Sequence, residues 1–122
     1  MLNVKDCLEK AKRNKSFVSQ NLRRIIDKAP DWITVVAFYS ALHFVDAHLL
    51  KHHGIQREHH EERETEVANH LIEIYPAYKR LFEMSFRSRY LRVEDNPTPD
   101  EADSAIKYDL PEIEDFVMQR IT

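Results

Sequence analysis

Residues 32–50 read WITVVAFYSALHFVDAHLL, apolar on nearly every turn. A helix with no polar face belongs in the middle of a bundle, since every side of it needs cover from water. Pro30 and Asp31 mark its start, Pro suiting a first helical turn and Asp an N-cap. Gly54 stands where a left-handed C-terminal residue is needed, so the helix is expected over about 31–53. Its length also suits a membrane span, but His43, Asp46 and His48 near the middle, without a basic flank pattern, argue against one.

Composition narrows the rest. The chain has 122 residues, 43% of them hydrophobic and 32% charged, enough for one domain over 1–122 with a core and a wet surface. Gly54 is the single glycine. Dinucleotide loops, Walker-type phosphate loops and the nucleophile elbow all need several, so none is expected, and no cofactor with them. One cysteine, Cys7, excludes an internal disulfide and a multi-thiolate zinc site. The start MLNVKDCLEK carries charges where a signal peptide needs an apolar stretch, so a cytoplasmic protein is expected.

Working outward from the central helix, Val4, Leu8, Ala11, Val18, Leu22 and Ile25 recur at steps of three, four or seven, the stripe of an amphipathic helix near 3–28. A third helix is expected from about Glu58 to Tyr75, with Val67, Ala68, Leu71, Ile72 and Ile74 inward and a break at Pro76. A fourth covers about 77–91, using Tyr78, Leu81, Phe82, Ser85 and Tyr90. Thr98-Pro99-Asp100-Glu101 has the form of a capping box and opens a last helix, interrupted near Pro111. The fold class is therefore all-α, an up-and-down antiparallel bundle of four to five helices.

Charge alternates along the chain, at +5 over 1–29, −5 over 30–75, +4 over 76–92 and −7 over 93–122. Either the segments face one another across the bundle, or the two basic ones form an anion-binding strip. Lys79, Arg80, Arg87, Arg89 and Arg92 make the densest basic cluster. Phe86 and Tyr90 lie among them, as aromatic residues do where bases stack. The other reading puts Phe86 and Tyr90 in the core and the arginines on the acidic C-terminal segment.

Tyr39, His43 and Asp46 form a polar stripe on the central helix. Buried polar groups must be paired, so the stripe is either an internal network or the lining of a small cavity, where Asp46 would raise the pKa of His43. His48 and His52, one turn apart with His53, His59 and His60 following, have chelating spacing. Their place at a helix C-terminus explains them equally well, and no metal is assigned. Cys7 has no cationic activator beside it and is read as a small helix residue.

Three stretches, FYSALHFVDAHLLKHHG (38–54), HHEERE (59–64) and SFRSRY (85–90), resemble in order and spacing the HEPN superfamily of small helical domains, in a stand-alone prokaryotic form. The resemblance implies an antiparallel bundle that dimerises and binds RNA or a nucleotide, in a toxin–antitoxin or defence setting, and that keeps His60, Arg63, Arg89 and Tyr90 near one another; with Arg87 and Arg92 of the basic cluster, these are the expected binding residues. It also implies an alternative, a metal-independent ribonuclease acting through an Arg-x6-His pattern, here Arg63 and His70. Seven helical steps leave that pair only about 20° apart in azimuth but roughly 10.5 Å apart along the axis, so a two-fold dimer would have to assemble the site. His70 would serve as general acid/base and Arg63 would stabilise charge on the phosphate. The plain alternatives are an Arg63–Glu66 ion pair and a non-catalytic bundle that binds a separately encoded protein partner.

Overall fold

The computed structural model describes residues 2–121, and they form an all-α bundle. Helix α1 spans Val4–Ile25, α2 Pro30–His53, α3 His60–His70, α4 Tyr75–Tyr90, α5 Pro99–Ser104 and α6 Leu110–Ile121. The last two run on from each other through one wider, π-type turn at Ala105–Asp109. Pro111 explains that turn, because it donates no backbone hydrogen bond and its ring would clash with a carbonyl four residues back. The described residues thus make five helical rods, of which α1, α2, α4 and α5–α6 run up and down and α3 is a short bridge.

The caps follow the chemistry of the sequence. Asn3 and Asp6 close a capping box on α1, and Thr98 and Glu101 close another on α5. Pro30 opens α2, and Gly54 ends it at φ 65°, where its N–H and that of Ile55 reach back to the carbonyls of Leu50 and Leu49.

Helix α2 is the axle. Ile33, Ala37, Phe38, Ala41, Phe44, Val45 and Leu49 are all buried, against α1 on one side and α4 and α6 on the others. It is long and apolar enough to cross a membrane, but 67% of its most apolar window is buried inside the bundle. Ser40 lets α1 come close, its hydroxyl donating to the Ala11 carbonyl at 2.8 Å.

The helix boundary after α3 falls earlier than the sequence indicates. The break lies at Leu71, followed by a tight turn at Ile72–Ile74, and Pro76 sits harmlessly in the first turn of α4. Three residues per turn put Leu71 and Ile74 on one side, both buried, and swing Ile72 out to 59% exposure instead of inward.

Gly54 makes a test of the α2 terminus. A Cβ there meets nothing within 4 Å, so Gly54→Ala adds backbone strain alone. Chemical denaturation should show a loss of about 1 kcal/mol, and an unchanged midpoint would refute the left-handed cap.

Candidate functional site

The polar stripe of α2 lies on its least covered face, between the start of α1, the 55–63 segment and the end of α4. Asp46 is held by Arg63 of α3, whose Nε donates to one carboxylate oxygen at 2.8 Å and whose Nη2 donates to the other at 3.3 Å. Nη2 also donates to the Arg57 carbonyl at 2.6 Å, tying the connecting segment to the pair. The Arg63 side chain is 7% exposed. Such a cation needs its anion, and a buried anion its cation, which is why both occur opposite each other on an otherwise apolar interface. Burial pushes the Asp46 carboxyl up, against the pull of Arg63.

Two expectations change here. Arg63 does not pair with Glu66, because Arg57 takes Glu66 at 3.0 Å while Arg63 turns inward. Nor do Tyr39, His43 and Asp46 form one network, since the Tyr39 hydroxyl pairs with Arg89 and the His43 Nδ1 is buried without a partner. Asp46 does not raise His43 either. With its charge engaged by Arg63, burial leads, Lys10 and Arg63 add to it, and the imidazole is pushed down to about 4.

These groups edge an open cleft of about 580 Å³, with Cys7, Leu42, His43, Asp46, Arg57 and Arg63 among its lining. Burial, then Asp46 and Asp6, push the Cys7 thiol up, so it stands as a neutral wall rather than a nucleophile.

His70 lies elsewhere. It is exposed at the C-terminal end of α3 and stacks on His53, with ring centroids 4.0 Å apart. His48 lies behind it, 4.5 Å from His52, whose ring meets the Arg120 carbonyl at 2.7 Å. Arg63 therefore faces Asp46 while His70 faces His53, and their common azimuth on α3 does not give them common surroundings. Among the described residues, no three His, Cys, Asp or Glu side chains converge as a metal would require.

Beyond Tyr39 the stripe meets α4. Arg80 is bound to Asp109 at 2.8 Å, and Arg87 is bound to Glu101 at 2.8 Å and to the Asp95 carbonyl, so the basic and acidic segments do face one another. Arg92 is exposed, beside Glu94 and Asp95. Arg89 is the α4 arginine without a carboxylate among the described residues. Its guanidinium carbon lies 5.6 Å from the Tyr39 ring centre and 4.9 Å from that of Tyr90. Its Nη1 donates to both hydroxyls, its Nε to Ser85, and its Nη2 is buried without an acceptor. His60 packs nearby among Phe38, Tyr39 and Phe82, and burial, then Arg63 and Arg89, push its pKa down. Phe86 and Tyr90 are exposed rather than core, their rings 5.1 Å apart. Of the six residues expected to bind, the structure brings His60, Arg89 and Tyr90 together and commits Arg63 and Arg87 to internal partners. Sequence reasoning missed Arg57 and Cys7 as cleft residues, and neither carries a signal that a single sequence would reveal.

Two measurements check this electrostatic picture. Asp46→Asn leaves Arg63 buried without its anion and should lose about 3–5 kcal/mol in urea unfolding, whereas Asp46→Leu with Arg63→Met should lose much less. A wild-type stability for Asp46→Asn would dissolve the pair. His48 is pushed down to about 4, first by burial and then by His52 and His53, so the unfolded chain binds its proton more readily. Its contribution is complete above about pH 6.5 and lost as pH falls toward 4. The fall in the urea midpoint across that window should be shallower in His48→Gln, and equal slopes would contradict it. A comparison with known protein families, curated proteins and solved structures gives no match, so the site rests on its own geometry.

Proposed function

We propose that this chain is a HEPN-like, non-catalytic module that binds RNA or a nucleotide in the cytoplasm, as a homodimer, through the face made by Tyr39, His60, Arg89 and Tyr90. The observation that carries the reading is Arg89, a half-buried cation with no carboxylate partner among the described residues, set between two tyrosines. A phosphate arriving there meets a charge that nothing else neutralises, while the exposed Tyr90 and Phe86 rings offer a base something to stack on. Trp32, 66% exposed at the start of α2, is an unpartnered apolar side chain of the kind that a second copy or a separate protein partner covers.

The binding reading takes precedence over a ribonuclease because Arg63 already has Asp46 and the Arg57 carbonyl as partners. A phosphate would have to displace both. The toxin–antitoxin or defence setting follows from the resemblance alone.

Fluorescence anisotropy with a short single-stranded RNA tests the reading. Arg89→Ala should weaken binding about tenfold or more and lower the salt slope by about one ion. Arg80→Ala and His70→Ala should bind like the wild type. No binding at low salt, or an Arg89→Ala variant equal to the wild type, would overturn the proposal.

A further inference from the structure

We infer that the cleft between α1, α2 and the 55–63 segment is a pocket for an uncharged nucleobase, with Asp46, Arg63 and His43 reading its edge. The inference rests on the reading above and names the part of the nucleotide that this second, adjoining site takes. Charge is the first argument. Asp46 is neutralised by Arg63 at 2.8 Å, and Glu62 lies 3.9 Å from Arg57, which also holds Glu66. A phosphate entering the cleft would meet Asp46, Glu58 and Glu62, and an ammonium would meet Arg63 and the nearby Lys10. An uncharged ligand meets neither penalty.

Hydrogen-bonding capacity is the second argument. Among the described residues the Arg63 Nη1 has no acceptor, which leaves a donor on a cleft-lining side chain otherwise fixed in place. Asp46 keeps 20% of its side chain exposed, and each oxygen retains a free lone pair. The His43 imidazole is neutral at physiological pH, and with Nδ1 buried, Nε2 is the nitrogen left to meet a ligand, as donor or acceptor according to the tautomer. Leu42 and Cys7 supply apolar wall against a flat ring. A cleft of about 580 Å³ is within the size range of small-molecule pockets.

Position is the third argument. Tyr39, which packs on Arg89, lies one helical turn from His43 and about two from Asp46, a separation of roughly 6–10 Å along α2. A pocket suited to an uncharged ring and an uncompensated cation at that spacing match the two ends of one nucleotide, the base and the phosphate.

The test uses the four uncharged nucleosides as probes, titrated into the ¹⁵N-labelled protein and followed by amide shifts. At least one should shift amides of 42–46 and 56–63, with an affinity that 0.5 M NaCl leaves unchanged. His43→Ala should weaken it about tenfold, and Gln56→Trp, which crowds the mouth from a loop, should abolish it. Arg89→Ala should leave nucleoside binding intact. If no nucleoside at 10 mM shifts the cleft amides, or if neither cleft variant changes the response, the inference is overturned. Should RNA still bind through Arg89 in that case, the inference alone fails. Cleft shifts with nucleosides but no RNA binding would uphold the pocket and overturn the Arg89 reading.

Discussion

One ion pair organises the open face of this bundle. Helix α2 is apolar almost all round, and the anion in its middle, Asp46, is tolerable only because Arg63 reaches it from α3 at 2.8 Å. The same guanidinium ties down the Arg57 carbonyl, so the segment linking α2 to α3 takes its course from that pair. Once Asp46 is neutralised, His43 has no anion to hold a proton, and its environment favours the neutral ring. Cleft shape and cleft charge trace to this contact, while the neutral state of its histidine comes first from burial and then from Lys10 and Arg63.

A second constraint is the pairing of basic α4 with the acidic C-terminal helices. Asp109 takes Arg80, Glu101 takes Arg87, and Lys15 of α1 meets Glu114. What remains among the α4 arginines is informative by subtraction: Arg89, left to two tyrosines and a serine. A cation held by aromatic rings and hydroxyls is positioned without being neutralised, which distinguishes it from its paired neighbours.

Much of the fold was legible in the sequence because it rests on local rules. The apolar run of α2, the capping box at Thr98 and the terminal Gly54 each act within a turn or two of chain. The α3–α4 boundary was misplaced because Pro76 is a strong local signal, while burial of Leu71 and Ile74 through a tight turn is a tertiary effect. The site was legible only in outline. That Asp46 needed a cation follows from its apolar surroundings, but its choice of Arg63, 17 residues on, depends on how α3 lies across α2. Likewise, Arg89 differs from Arg80 and Arg87 only through what the C-terminal helices engage. The spacing of Arg63 and His70 was real on the helix, yet one side chain points inward and the other stacks on His53.

The most direct test of this account is the protonation midpoint of His43, read from its own imidazole resonances by NMR across pH 3–8. Burial of the ring beside Lys10 and Arg63, with the Asp46 charge engaged by Arg63, predicts a midpoint near 4. A midpoint at or above the ordinary histidine value of about 6.5 would mean that Asp46 is free to charge its neighbour, and that the pair does not organise the site.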